Sequence, residues 1–405
     1  MKLSIKKIST LLLVLFVVRS NAQMTNLGQM FTSQNTDVSV LQNFVNKDTA
    51  TVINNGNLYL DKDFNNNGIV TFTNDESAKT IFKGIENQKI IGDGITEFFN
   101  LKVDNNSKKT SIKLNKEIGV YGEANFQEGI IERLSKGKAV FKPGAFHNNL
   151  NDDSYIDNKV FKEGNEAFIF PVGHNNLGEF ITRYTSISAP NNSKDVFSAE
   201  YIWENSDSKF KHLNKESDII NINTNEYWIV KQEEGNSKVD VTLSWNERTT
   251  SPVLLFNPEK MVIVRWNGEK WINENGVVNI DDKTITTKPS GYGVFTLAII
   301  NNKESFDLVD SFSPDGDGIN DTFVIPGLAE AYPNFKMKIY NRYGNLVFNY
   351  KNNGNLSPNW WDGKSDGRLT LSGSTKEVPA ATYWYVIDFN DGKTKSTQSW
   401  LYLNK

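Results

Sequence analysis

The stretch F-S-P-D-G-D-G-I-N-D-T-F, residues 312–323, carries the strongest structural signal in this chain of 405 residues. Its two glycines adopt positive φ at little cost, so the backbone can turn tightly between the two phenylalanines. A tight turn brings the carboxylates of Asp315, Asp317 and Asp321 toward one point, where their mutual repulsion favours a bound cation. Ligands that are all oxygen suit Ca²⁺. The stretch therefore predicts either a structural Ca²⁺ site or a glycine-rich turn whose aspartates accept backbone N–H groups.

Strand-like segments follow this loop to the end of the chain. Residues 336–340 and 346–348 are short apolar segments on either side of the turn N-R-Y-G-N, which is typical of a β-hairpin. The motif W-D-G at 361–363 precedes a long apolar run at 378–387 and a final aromatic strand, W-L-Y-L. We predict a small antiparallel β-sandwich over residues 306–405.

This order of motifs resembles the gliding-motility-associated C-terminal domain, the type B sorting domain of the Bacteroidetes type IX secretion system. The resemblance covers about a quarter of the chain. The positions that match the sorting motifs are Ser313, Pro314, Gly316, Gly318, Asn320, Asp321, Tyr340, Asn341, Arg342, Gly344, Trp361, Asp362, Gly363, Tyr383 and Tyr385. Two departures are an aspartate at 315, where the family more often has asparagine, and an apparent insertion at 369–377.

The resemblance implies delivery across the outer membrane by the type IX secretion machinery, and it implies no chemical activity. It also implies tethering to an outer-membrane partner of the PorP/SprF type. We expect recognition to use exposed sheet edges and the aromatic-rich terminal strand. These implications concern the tail alone and leave the rest of the chain to be interpreted from its own residues.

Composition restricts the remaining chemistry. Aromatic residues make up 12% of the chain and the formal net charge is −4, which fits a β-rich globular protein. Basic residues form no cluster, so we expect no nucleic-acid partner. The chain has no cysteine, which excludes disulfides, thiolate metal sites and cysteine nucleophiles.

The N-terminus has the features of a secretory signal peptide. Three lysines precede an apolar run at residues 8–18, and S-N-A at 20–22 places small residues where a signal peptidase cleaves. We predict cleavage after Ala22. The alternative is a membrane anchor, but the run is about half of the roughly 20 residues that a spanning helix needs. We expect no transmembrane span after signal removal.

Residues 38–150 consist of short apolar runs separated by asparagine, glycine and aspartate, with no helical period. This pattern favours a β-solenoid-like domain or a meander, with an antiparallel sandwich as the alternative. The sequence of this region is similar to β-helix regions of Bacteroidetes surface proteins, although its apolar runs are irregularly spaced. In a solenoid, asparagines at the corners would stack and hydrogen-bond along the axis.

Residues 151–303 read as a central β-sandwich, because many short strands are separated by turns at roughly ten-residue spacing. We predict that 226–230 pairs with 239–245, and that 261–266 pairs with 271–272 across an Asn-Gly turn. The polar segment 205–220 is expected to be a long loop or a single helix. Residues 301–304 read as a linker to the tail.

Candidate catalytic residues are sparse. The histidines, His147, His174 and His212, have no metal-ligand spacing, and no nucleophile-elbow motif is present. Five tryptophans of the central domain would fill the sandwich core or form sugar-stacking platforms. They are Trp203, Trp228, Trp245, Trp266 and Trp271. Paired carboxylates for glycoside hydrolysis are not excluded by composition, since acidic residues are plentiful.

These observations predict an all-β, non-catalytic, exported cell-surface protein. Its body would serve adhesion, gliding motility or surface-complex assembly, with a larger surface adhesin or surface glycans as partners. No cofactor would be required. The alternative is a secreted carbohydrate-active enzyme or carbohydrate-binding protein with the same sorting domain. A cleft that carries paired carboxylates beside exposed tryptophans would favour this alternative.

Overall fold

The computed structural model describes residues 22–73, 77–107, 110–300, 309–365, 376–392, 394 and 396–405. The predicted signal peptide, apart from Ala22, and the predicted linker lie outside the described residues. The chain forms two compact units, residues 1–301 and 302–405. Nearly all regular structure is β-strand, which confirms the predicted fold class. None of the described helices has the length and apolar character needed to cross a membrane.

The first unit begins with a parallel β-solenoid, in which each coil contributes one strand to each of three sheets. Six complete coils are followed by two strands of a seventh. The strands are β1 (Gln23–Asn26), β2 (Gln29–Thr32), β3 (Asp37–Val40), β4 (Asn43–Asn46), β5 (Thr51–Asn54), β6 (Asn57–Leu60), β7 (Phe64–Asn66), β8 (Ile69–Thr71), β9 (Lys79–Gly84), β10 (Gln88–Ile91), β11 (Ile95–Phe98), β12 (Asn100–Asn105), β13 (Thr110–Leu114), β14 (Glu117–Val120), β15 (Glu123–Glu128), β16 (Ile130–Arg133), β17 (Lys138–Phe141), β18 (Phe146–Asn148), β19 (Ile156–Asp157) and β20 (Val160–Glu163).

The interior of the solenoid is held by repeated contacts between successive coils. Phe44 and Phe64 are buried with ring centroids 5.8 Å apart, and Phe64 lies 6.4 Å from Phe98 of the following coil. A ladder of amides runs beside it: Asn26 donates to Asn46 at 2.9 Å, and Asn46 donates to Asn66 at 2.8 Å. The predicted asparagine stacking is therefore confirmed. Burial of these amides is favourable only because each finds a partner in the next coil.

The coils vary in length, which explains the irregular sequence spacing. Their first strands begin at residues 23, 43, 64, 88, 110, 130 and 156. The parallel strands extend beyond the expected limits of 38 and 150 on both sides. Two of the three sheets then continue into antiparallel strands, because β20 pairs with a strand at 196–202 and a strand at 172–176 pairs with one at 179–182.

The antiparallel part of the first unit is a β-sandwich. Its strands are β21 (Phe168–Ile169), β22 (Val172–Asn176), β23 (Glu179–Thr182), β24 (Thr185–Ile187), β25 (Val196–Ile202), β26 (Ile219–Ile222), β27 (Tyr227–Glu234), β28 (Val241–Ser244), β29 (Met261–Trp266), β30 (Trp271–Asn273), β31 (Val277–Asn279), β32 (Thr284–Thr287) and β33 (Gly293–Ile300). One sheet of the sandwich contains β25-β27-β33-β29-β30, the other β21-β24-β28-β32-β31, and one hydrophobic core includes side chains of both. The strands β22 and β23 instead extend a solenoid sheet, in which β22 is parallel to β19. The helix α1 (Pro252–Leu255) and 3-10 turns at Ser206–Ser208 and Pro258–Lys260 connect strands.

The predicted hairpin of β29 and β30 is confirmed, but the predicted pairing of 226–230 with 239–245 is wrong. β27 pairs with β25 and β33, whereas β28 pairs with β24 and β32 in the other sheet. The reason is that alternation of apolar residues identifies the buried face of a strand and not its neighbour. In a sandwich, two consecutive strands can bury their faces against each other instead of sharing hydrogen bonds.

The second unit contains a five-stranded sheet in the order β34-β38-β37-β35-β36. Its elements are β34 (Ser311–Phe312), α2 (Leu328–Ala331), β35 (Lys336–Tyr340), β36 (Leu346–Lys351), β37 (Ala381–Asp388) and β38 (Thr397–Leu403). All neighbours are antiparallel except β34 and β38. The inner face packs against residues of the irregular segment 323–335 and Trp361, so these segments occupy the place of a second sheet.

Candidate functional site

The acidic loop at the start of the second unit is held by its own hydrogen bonds. Gly316 and Gly318 have φ of 83° and 86°, as the sequence predicted for a tight turn. Their N–H groups donate to the two carboxylate oxygens of Asp321 at 2.7 and 2.9 Å. The N–H of Asp317 donates to Asp315 at 3.2 Å. The aspartates therefore act as acceptors that stabilise the turn.

The same loop brings three carboxylates together. Asp315, Asp317 and Asp321 each offer one oxygen, and these oxygens lie within 4.8 Å of one another. Calcium–oxygen bonds are about 2.3–2.6 Å long, so oxygens at this separation can share one ion. Each carboxylate oxygen has two lone pairs, so accepting an N–H does not prevent coordination. The chemistry and spacing of these residues fit Ca²⁺.

The N-R-Y-G-N motif forms the turn between β35 and β36. The side-chain oxygen of Asn341 accepts the N–H groups of Tyr343 and Asn345, both at 3.0 Å. The backbone of Gly344 donates to the Asn341 carbonyl at 2.9 Å. The guanidinium of Arg342 lies 4.9 Å from the ring centroid of the exposed Tyr343. The motif residues at 341 and 344 therefore have a structural explanation within the turn.

The W-D-G motif anchors the core of this domain. The Trp361 indole is fully buried, donates to the Lys364 carbonyl at 2.8 Å, and lies 5.3 Å from the Phe312 ring. Gly363 has φ of 76°, and a Cβ at this position would approach Pro314 and Leu403 to within about 3 Å. Glycine is thus required here by both conformation and space.

The tyrosines of β37 alternate with exposed residues. Tyr383 and Tyr385 are buried, and the Tyr383 hydroxyl donates to the Pro379 carbonyl at 2.7 Å. Burial raises the pKa of Tyr383 to about 12, so its hydroxyl stays protonated as a donor. Tyr385 packs against Phe323 with ring centroids 4.9 Å apart. These motif positions build the core and do not face solvent.

The outer face of the same sheet presents an apolar row that crosses four strands, which we call the aromatic row. Leu346, Tyr340, Trp384 and Trp400 occupy directly paired positions on β36, β35, β37 and β38. Trp384 and Trp400 are 51% and 46% exposed, so about half of each side chain is open to solvent. Large apolar side chains exposed together mark a candidate interaction surface. The sequence indicates an aromatic terminal strand, but it does not show that these four residues form a row. Alternation within each strand signals the exposed faces, whereas the register between strands was required to align them.

In the first unit, the histidines make separate structural contacts. His147 Nε2 lies 2.7 Å from the Ile169 carbonyl, and His174 Nδ1 lies 3.3 Å from Asp157. His212 Nε2 is 2.8 Å from the hydroxyl of Ser206, a serine–histidine pair that the sequence spacing did not indicate. Ser206 is fully buried, so its hydroxyl is not accessible to a substrate in this conformation.

The tryptophans of the first unit mainly belong to its cores. Trp228, Trp245 and Trp271 are buried, while Trp203 and Trp266 are partly exposed. Beside Trp228, Arg183 and Glu226 form a buried ion pair at 3.1 Å, and the hydroxyl of Tyr201 donates to the same carboxylate at 2.8 Å. This network satisfies buried charges inside the sandwich.

Together, the acidic loop, the hairpin turn and the buried W-D-G anchor define a small C-terminal β domain with motif residues concentrated at its turns and core. Residues 306–403 match the family model of the CHU_C type IX secretion signal domain. Searches of curated proteins and of solved structures found no match. The second unit is therefore a C-terminal sorting domain, as the resemblance implied. Such a signal directs export through the type IX secretion machinery, across the outer membrane, to the cell surface or the extracellular space.

Proposed function

We propose that this is a non-catalytic protein of the cell surface, whose first unit serves adhesion or the assembly of a surface complex, including one used in gliding motility. The observation that carries this proposal is the use of interior polar groups in the first unit. Asn46 and Asn66 join coils, and Arg183 and Glu226 neutralise each other inside the sandwich. These groups support a scaffold, and the buried Ser206 leaves its serine–histidine pair without access to substrate.

The proposal is tested in cells that possess a type IX system. Cells lacking the gene are complemented either with the full chain or with a fusion in which a reporter replaces residues 23–303. We expect both proteins to reach the surface, measured by protease treatment of intact cells. Only the full chain should restore adhesion or spreading. Equal restoration by the fusion would contradict the proposed role of the body.

We propose that the aromatic row is the part of the sorting domain that contacts the secretion machinery or an outer-membrane protein of the PorP/SprF type. The support is the exposure of two indoles on a regular sheet face, where aromatic residues are typical of protein interfaces. The double variant W384A/W400A should fold but lose export. As a matched control, Y343A removes an aromatic ring that is 73% exposed in the hairpin turn, outside the row, and should be exported normally.

We further propose that the acidic loop binds a structural Ca²⁺ ion. The support is the separation of its three carboxylate oxygens and their oxygen-only chemistry. Calcium titration of the purified protein should raise the unfolding temperature of the second unit, and EGTA should reverse the effect. D317N should weaken the response, whereas D362N, outside the loop, should retain it. An unchanged unfolding temperature in excess Ca²⁺ would contradict the proposal.

Glycan binding without catalysis is a second candidate function. A surface cavity of about 440 Å³ is lined by Phe146, Tyr184, Glu166 and other residues of the first unit. The rings of Phe146 and Tyr184 are 54% and 40% exposed, which suits stacking on sugars. Glycan-array binding by the purified protein that is lost in F146A/Y184A, without release of hydrolysed product, would support this candidate over an enzyme.

A further inference from the structure

The N-terminal end of the solenoid consists of three edge strands. Within the described part of the chain, β1 pairs only with β4, β2 only with β5, and β3 only with β6. Each strand therefore has one side without a neighbour. Unpaired edges are templates for further strand pairing, and native proteins usually block them with charge, proline or a covering segment.

The hydrogen bonds to the second coil show which backbone groups of β1, β2 and β3 point toward it and which point away. The carbonyls of Asn26, Thr32 and Val40 accept N–H groups from residues of the next coil at 2.9–3.1 Å. Backbone polar groups in a strand alternate between its two sides. The N–H and C=O groups of Thr25, Phe31 and Ser39, and of the residues two positions before them, therefore point away from the solenoid.

The first coil is also nearly uncharged. Residues 23–42 contain one charged residue, Asp37, and its carboxylate accepts a hydrogen bond from Asn57 of the second coil at 2.8 Å. Leu27, Phe31 and Leu41 are 61–73% exposed. After the predicted cleavage, the new α-ammonium group of Gln23 and the Asp37 carboxylate offset each other, so this end has no net charge that would repel a second copy.

The opposite end of the solenoid is different. Two of its sheets continue into the antiparallel strands β23 and β25, and only the short β18 ends a sheet there. Head-to-tail stacking would therefore leave two of the three edges unpaired. The surface that matches three open edges, strand for strand, is the same end of a second copy.

We propose that the first coil is a homodimer interface, in which two copies of this chain meet through β1, β2 and β3. A two-fold axis perpendicular to the solenoid axis places one edge strand against its own copy and exchanges the other two. All new strand pairs are then antiparallel, and the contact closes without forming a fibre. The inference rests on the predicted removal of residues 1–22 and is independent of the proposed surface role.

The first test is the mass of the processed protein, purified after export and with its N-terminus verified by mass spectrometry. Size-exclusion chromatography with light scattering should give twice the monomer mass. The variant T25P/S39P removes two outward N–H groups, and proline is tolerated on an edge strand. It should be monomeric with an unchanged circular dichroism spectrum. The matched control T25A/S39A retains these groups and should remain dimeric.

A second measurement locates the interface. The chain has no cysteine, so single spin labels can be placed at Gln29→Cys and Ile95→Cys. These positions are aligned in one column of the solenoid, on β2 and β11, three strands apart. With strands about 4.8 Å apart, the labels at 95 should be separated by about 29 Å more along the axis than those at 29.

Several results would overturn the proposal. They are a monomeric wild-type protein at the highest attainable concentration, a T25P/S39P variant that remains dimeric, or labels at 95 that lie closer together than those at 29. A monomeric exported protein that retains residues 1–22 would also overturn it, because the inference rests on their removal.

Discussion

The solenoid and the sorting domain are stabilised by contacts that span different distances along the sequence. In the solenoid, Asn46 and Phe64 act through residues about one coil away along the chain, and the same contacts recur from coil to coil. In the sorting domain, Asp321 and Asn341 act through backbone groups within five residues of themselves. Local turns leave a recognisable motif in the sequence, whereas contacts between coils leave only a loose period. The two regions should therefore respond differently to substitution.

The largest expected effect on the first unit comes from its buried ion pair. Glu226→Ala leaves Arg183 charged and without its carboxylate, which should destabilise the unit by about 3–5 kcal/mol. Chemical denaturation of the purified protein measures this loss. The matched control, Glu247→Ala, breaks an exposed ion pair with Lys283 and should cost about 0–1 kcal/mol. Similar losses in both variants would show that the buried network has no special role.

The corresponding change in the sorting domain should affect stability and export together. Trp361→Ala removes the fully buried indole and should destabilise the second unit by about 3–5 kcal/mol. We expect the protein to accumulate in the periplasm, measured by immunoblotting of cell fractions. Glu226→Ala changes no residue of the sorting domain, so loss of export in both variants alike would contradict a separate role for the tail.

A smaller effect is expected from the amide ladder. Asn46 donates to Asn66 and to the Ala50 and Ile69 carbonyls, so Asn46→Ala leaves buried acceptors unsatisfied. The variant should lose about 1–3 kcal/mol. Asn57→Ala, which removes an exposed bond to Asp37, provides the control in the same coil. Equal stability of the two variants in urea denaturation would indicate that the ladder does not hold the coils together.

A further effect depends on pH. The ammonium group of Lys116 is buried in the solenoid and donates to the Asn66 and Gly94 carbonyls at 2.9 and 2.8 Å. Burial lowers the pKa of Lys116 to about 8. Between about pH 8 and 10 the unfolded chain therefore binds more protons at this residue, and its contribution to stability rises with pH. The unfolding free energy of the wild type minus that of the Lys116→Met variant should increase as the pH rises across this window. A flat difference would contradict the assignment.

The sequence was most informative where structure is local. The acidic loop, the turn at 341–345 and the hairpin of β29 and β30 follow from glycine and asparagine in tight turns. The all-β class followed from the absence of helical periodicity. The coil length did not, because the corners of the solenoid differ in length and the pairs β12/β15 and β13/β16 also shift register. The wrong pairing of 226–230 with 239–245 has the same origin, since alternation does not identify a strand's neighbour.

The candidate site shows the same division. The motif residues around Asp321, Asn341 and Gly363 could be found from sequence because each serves a local turn or a close contact. The aromatic row could not, since Tyr340, Trp384 and Trp400 are distant in sequence and meet only through strand register. Because residues of the row alternate with the buried tyrosines, the sequence predicts which side chains are exposed. It does not predict which exposed side chains of neighbouring strands lie side by side.

The central claim is that residues 306–405 direct export independently of the body. The most direct measurement uses a fusion of residues 1–22, a reporter and residues 306–405, in strains with and without a type IX system. The candidate PorP/SprF-type partner is co-expressed in both. Reporter at the surface or in the medium of the intact strain alone is the result we predict. Reporter retained in the periplasm of both strains would contradict the claim.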